Sequence, residues 1–264
     1  MNQDRQSKCV LITGAAKRIG RALALDFARN GWDVAIHFHS SSADADVLVG
    51  EISALGRRAV AVRCDLADMQ AVGQLLPQCA EQLGPIACLI NNASEFRFDS
   101  ITDLSPEGWD LHLNINLKAP VFLAQALAGN LPPNIEGNVI NVIDQRVWNL
   151  TPEFFSYTVS KAGLWSATRM LAQALAPQVR VNAIGPGPVL KSIHQTSEDF
   201  TREEQSTLLE RGTTPEEIAH AIHFILSAPA MTGQMLALDG GQHLSWSNAV
   251  MPASKLAKTD GTSN

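Results

Sequence analysis

Thr13-Gly14-Ala15-Ala16-Lys17-Arg18-Ile19-Gly20 decides how the rest of the chain is read. It follows a short apolar run, Lys8–Thr13. It precedes Arg18–Asn30, where Ile19, Leu23, Leu25 and Phe27 recur with helical spacing and Gly31 supplies the stop. Strand, glycine-containing turn and helix in that order begin a crossover unit. Gly14 and Gly20 permit a tight turn and a close backbone approach to an anion at the helix N-terminus. Lys17 and Arg18 put positive charge where a phosphate would lie. The turn is not a full G-x-G-x-x-G, and ordinary strand–helix turns can look similar. Its place at the first crossover favours a dinucleotide site.

Downstream the alternation continues. Strand patterns fall at Asp33–Phe38, Arg58–Arg63, Ile86–Asn91, Asn138–Ile143, Val179–Ile184 and Gln234–Leu238. Helical patterns fall at Ala43–Leu55, Gln70–Leu83, about Pro106 to Leu127, Phe155–Ala176 and Pro215 to about Leu226. Strands apolar on both faces and separated by helices imply an α/β fold, with a parallel sheet covered on both sides. Such sheets bind ligands beyond the carboxyl ends of their strands. There is no internal repeat and no domain linker. Residues 1–246 read as one domain and 247–264 as a flexible tail.

Composition narrows the function. The chain is 45% hydrophobic and 17% charged, with a net charge of -6. That suits a globular core and disfavours a general nucleic-acid or anionic-membrane surface. Met1–Lys8 carries no apolar signal core, and no apolar run approaches the ~20 residues of a membrane span. Cys9, Cys64, Cys79 and Cys88 show no C-x-x-C spacing, which suggests buried thiols and a cytoplasmic protein. The second strand ends in His37-Phe38-His39-Ser40-Ser41, where an NAD enzyme usually places an acid for the ribose hydroxyls. With Arg18, the donors His39, Ser40 and Ser41 point to NADP; the alternative for the histidines is a half-exposed strand end.

Tyr157, the only tyrosine, lies four residues before Lys161 on a helical segment, so both side chains share one face. A nearby ammonium favours phenolate, which would suit proton transfer. By themselves the two residues also fit a solvated surface pair.

Taken in order, the motifs resemble those of the short-chain dehydrogenase/reductase family over residues 8 to 245. They are Thr13-Gly14 with Gly20, Asp65, Asn91-Asn92-Ala93-Ser94, Asn116, Tyr157 with Lys161, Arg180-Val181-Asn182, Pro186-Gly187 and Asp239-Gly240-Gly241. The resemblance implies a Rossmann-like doubly wound sheet of about seven strands and an NADP-dependent oxidoreductase. In it Gly14, Lys17, Arg18, Ile19 and Gly20 would cradle the cofactor. Asp65 would contact the adenine, with Leu66 beside it among the cofactor-binding residues. Asn91, Ala93 and Ser94 would line the cofactor, and Pro186-Gly187 would close over the nicotinamide. Lys161 would hold the ribose and lower the Tyr157 pKa, and Asn116 would support a proton path to Lys161. A homotetramer and a substrate lid at about 187–212 are further implications.

Three departures resemble the pteridine reductase branch of that family. Arg18 replaces the usual middle glycine, Ser94 the glycine after Asn-Asn-Ala, and Asp144 the usual serine. In that branch Arg18 and Ser94 would border cofactor and pterin, and Phe96 would stack on the pterin. A carboxylate accepts ring N–H and NH2 donors and can relay a proton through Tyr157, so Asp144 suits an aza-ring better than a ketone. The expected activity is NADPH-dependent reduction of a dihydromonapterin-, dihydropterin- or dihydrofolate-like compound. The rivals are a carbonyl reductase of the 3-oxoacyl type and a non-catalytic NADP sensor. Phe96 equally fits a plug at the core edge, and Trp148 could wall the pocket. His220 and His223 lack a third ligand, so no metal is expected.

Overall fold

The computed structural model describes residues 8–191 and 195–245. Much of the N-terminal segment, part of the expected lid and the 247–264 tail lie outside the described residues. Seven parallel strands form one sheet in the order β3-β2-β1-β4-β5-β6-β7. They are β1 (Cys9–Ile12), β2 (Asp33–Phe38), β3 (Ala59–Arg63), β4 (Cys88–Asn91), β5 (Gly137–Val142), β6 (Val179–Pro186) and β7 (Met235–Leu238). The strand order reverses between β1 and β4, where the loops leave in opposite directions and open a crevice.

Period-two alternation feeds two cores. Val10 and Ile12 of β1 join Leu23, Phe27, Leu48, Ile218 and Ile222 on one face. Cys9 and Leu11 join Val72, Leu75, Leu123 and Leu127 on the other. The first face is covered by α1 (Arg18–Arg29), α2 (Ser42–Ala54) and α8 (Pro215–Ser227). The second is covered by α3 (Met69–Leu83), α5 (Ala119–Asn130) and α6 (Phe155–Leu175), with α4 (Pro106–Leu113) packed on α6. Helix starts carry their own signals. Asp68 caps α3 by accepting from Gln70 N and Ala71 N, and Thr214 and Glu217 form a capping box on α8.

Two expectations need correction. The helix expected from Pro106 to Leu127 is split by a π-helical turn, Asn114–Lys118. Pro120 has no N–H for the Asn116 carbonyl four residues back, so a regular α-helix cannot run through. Instead Ala119 N donates to Asn114 O. The polar segment after residue 191 contains a further helix, α7 (Ser197–Gln205), started by a Thr196/Asp199 capping box. Its face is too polar for apolar spacing to reveal it.

Cys9, Cys64, Cys79 and Cys88 are all buried. Burial pushes the Cys79 and Cys88 thiols up to about 12 and Cys64 up to about 11, so they remain protonated. No described helix is long and apolar enough to cross a membrane.

Candidate active site

The crevice is tied together at the strand reversal. Thr13 Oγ1, just past β1, accepts from the backbone N–H of Asn92 at 2.9 Å and of Ala93 at 3.0 Å, just past β4. Asn92 Nδ2 donates back to Thr13 O at 2.9 Å. Gly14 has φ +64 and donates its N–H to His37 Nδ1 at 3.0 Å. His37 Nε2 meets Cys64 O at 3.1 Å, so the ring is neutral with its proton on Nε2. A Cβ on Gly20 would collide with the Gly14 carbonyl and stand 2.7 Å from Asn92 Nδ2. Gly20 therefore lets α1 start tight against the turn, the close helix–strand packing that a nucleotide-type crossover needs.

Arg18 adopts φ 54, a left-handed backbone that favours glycine. Its guanidinium donates to Leu190 O and Lys191 O, both at 2.9 Å, so it faces the segment after β6. Lys17 pairs with Asp44 at 3.0 Å at the surface. His39 is exposed, with Nε2 4.0 Å from Asp65. Ser40 is exposed and Ser41 half-buried beside it. Asp65 Oδ1 accepts from Ala67 N at 2.9 Å, and Leu66 is buried. His39, Ser40 and Ser41 follow the carboxyl end of β2, and Asp65 and Leu66 that of β3. Asn91 is 2% exposed and donates to Asn141 Oδ1 at 2.8 Å; it braces β4 against β5 inside the core.

Across the crevice, Tyr157 and Lys161 share one face of α6 and are 5% and 2% exposed, which excludes a solvated surface pair. The Tyr157 hydroxyl donates to Asp144 Oδ2 at 2.9 Å. Asp144 Oδ1 accepts from Arg146 N at 2.8 Å and starts a short 3₁₀ turn, Gln145–Val147. Lys161 Nζ donates to Val142 O at 2.9 Å and sits 5.7 Å from the centre of the Tyr157 ring. Burial pushes the Lys161 ammonium down to about 8, with Asp144 opposing. The expected lowering of the Tyr157 pKa does not appear. Burial, and then the Asp144 carboxylate, push the phenol well above its ordinary value. Tyr157 therefore holds its proton, on a bond to a carboxylate.

Asn116, on the π turn, is fully buried. Its amide donates to Glu95 O at 2.9 Å and Ser160 Oγ at 3.1 Å and accepts from Glu95 N at 2.8 Å. It clips the loop after β4 to α6. Ser94 Oγ lies 3.3 Å from the same amide oxygen.

A cavity of about 690 Å³ brings together Arg18, Ile19, Ser94, Phe96, Asp144, Tyr157, Lys161, Pro186 and Gly187. Phe96 lies edge-on to Tyr157 at 4.7 Å and stacks on Phe154 at 4.6 Å. Gln195, Phe200 and Glu203 line the cavity from beyond β6. Trp148 does not line it; it packs edge-on against Trp165 and His243. His223 bonds Asp26 at 2.6 Å, and no group able to hold a metal occurs among the described residues. Thr13, His37 and Asn92 join the site only through the tertiary contacts. His37 had a readable signal, since it sits within the apolar strand Asp33–Phe38.

A family model described as Enoyl-(Acyl carrier protein) reductase matches residues 14–243. The chain belongs to the short-chain dehydrogenase/reductase family. Within that family it resembles FolM alternative dihydrofolate reductase 1 of Brucella suis in complex with NADP, at 45% identity and TM-score 0.89, covering 92% of this chain and 98% of that one. The Brucella canis counterpart with NADP is 43% identical, TM-score 0.88, covering 94% and 100%. A 3-oxoacyl-[acyl-carrier-protein] reductase of Synechocystis is 32% identical, covering 89% of this chain and 96% of the relative. In this short-chain dehydrogenase/reductase, then, a protonated phenol, a carboxylate and an ammonium converge beside a nucleotide-type turn.

Proposed function

We propose that the chain is an NADPH-dependent reductase of a pteridine, with dihydromonapterin- and dihydrofolate-like compounds as the substrate class. The observation that carries this is the 2.9 Å bond from Tyr157 to Asp144 inside the cavity. A serine there could donate to a ketone oxygen; a carboxylate accepts, which suits the N–H and NH2 groups of a reduced pterin. The likeness to the two Brucella FolM reductases supports the same substrate class.

NADPH, when bound, supplies the hydride. Gly14, Gly20 and the ends of β2 and β3 would hold it, and Lys161 would hold its ribose. Arg18, His39, Ser40 and Ser41 favour NADP over NAD. Tyr157 gives its proton to the ring nitrogen as the neighbouring carbon is reduced, and Asp144 orients the phenol and holds substrate N–H groups. The 187–212 segment acts as the lid. The active assembly is a homotetramer, in the cytoplasm.

Oxidation of NADPH with dihydropterins, run beside 3-oxoacyl thioesters, tests the substrate. Pterin turnover is expected. Turnover of the thioester with none of any pterin would sink the pteridine claim and favour a carbonyl reductase, to which the 32% identical Synechocystis relative points.

A further inference from the structure

A second polar cluster lies buried behind the cavity wall. His112, at the end of α4, is 1% exposed, Ser156 at the start of α6 is 0% and Asp99 is 8%. Arg97 N donates to His112 Nε2 at 3.2 Å, and His112 Nδ1 meets Ser156 Oγ at 2.6 Å. Ser156 Oγ in turn donates to Asp99 Oδ2, while Asp99 Oδ1 accepts from Ser156 N at 3.1 Å. A backbone N–H can only donate, so His112 Nε2 must accept and the ring proton must sit on Nδ1. That proton fills the serine oxygen, and the serine proton is left for the carboxylate. The chain has one direction, and each member is satisfied.

We propose that Asp99, Ser156 and His112 are positioning residues that pin the loop carrying Phe96 against Tyr157 and thereby set substrate affinity. Phe96 adjoins the pinned Arg97 amide, and the His112 ring stands edge-on 6.2 Å from the Tyr157 ring. A cationic ring would turn Nε2–H against Arg97 N–H and release the loop. The groups acting on the ring are Asp99, Glu95 and Arg97 from the loop after β4, with Tyr157 packed on it from α6. Burial holds the His112 pKa below its ordinary value, against the pull of Asp99 and Glu95. Substrate affinity therefore holds through the ordinary histidine range and declines only at lower pH.

The role rests on Tyr157 being the proton donor of the proposed reductase, so the first arm of the test uses no substrate. Nitrogen-detected NMR of histidine-labelled full chain at pH 7.5, with His112 assigned through His112→Gln, should show the Nδ1–H tautomer. An Nε2–H tautomer overturns the chain. In the second arm, Ser156→Ala should raise KM about tenfold with kcat and the NADP+ Kd near wild type. The substrate is dihydromonapterin or, if pterins fail, a 3-oxoacyl thioester. A fall in kcat at unchanged KM would mean a merely structural role and overturns the proposal.

Discussion

His37 offers the sharpest physical test of the nucleotide turn. Its ring is 2% exposed and is the acceptor for the Gly14 N–H. Burial, helped by His39 and opposed by the Cys64 carbonyl and Asp65, pushes its pKa down to about 4 from an ordinary 6.5. The gap is about 2.5 pH units, and at about 1.36 kcal/mol per unit it corresponds to ~3 kcal/mol. The sign follows from linkage. The folded state keeps the ring neutral where the unfolded chain would protonate it. The contribution is therefore fully present above pH ~6.5 and is lost as pH falls toward 4, with a limiting slope of ~1.4 kcal/mol per pH unit. His37→Gln carries a donor and an acceptor that do not titrate. Urea unfolding of wild type and variant between pH 7.5 and 4.5 should show the wild type losing ~2–3 kcal/mol more across that window. Other acid-sensitive groups are common to both proteins and cancel. The Kd for NADP+ should weaken more steeply in wild type, because the imidazolium repels the Gly14 N–H and loosens the turn. Parallel stability curves for the two proteins would refute the assignment of His37 as the neutral acceptor.

Tyr157→Phe should lower turnover by about 10²–10⁴-fold while leaving the NADP+ Kd near wild type, since it removes a proton donor and little else; equal turnover removes Tyr157 from the mechanism. Gly20→Ala should weaken NADP+ binding about tenfold or more, because its methyl collides with the Gly14 carbonyl and displaces the turn, as titration calorimetry would show. Arg180 donates to the carbonyls of Ile225, Leu226, Ala228 and Met231 around the end of α8. Arg180→Ala should cost about 2–3 kcal/mol in urea unfolding; no change in midpoint would mean that solvent replaces it freely.

The alternation of apolar strands and helices, the first glycine turn and the four-residue spacing of Tyr157 and Lys161 were all readable from the chain. They are local patterns, with periods of two and near 3.6 residues, and they fix the fold class and the face on which the pair lies. Local reading failed where the pattern was diluted or interrupted. α7 lacks an apolar stripe, and Pro120 inserts the π turn within an otherwise helical run.

What only the tertiary structure decided is who meets whom. Arg18 grips carbonyls 172 and 173 residues away, His112 finds Ser156 across 44 residues, and Lys161 turns to Val142 O. The direction of the Tyr157 pKa belongs here too. The spacing showed an ammonium nearby, but burial and the Asp144 carboxylate at 2.9 Å outweigh it. Sequence spacing fixes directions along one element, whereas the electrostatics of a buried group depend on the other elements packed around it. The nucleotide turn and the Tyr157/Lys161 pair were therefore fixed by the chain's own periodicity, and the protonation states of Tyr157, His37 and His112 by chain segments that only folding brings together.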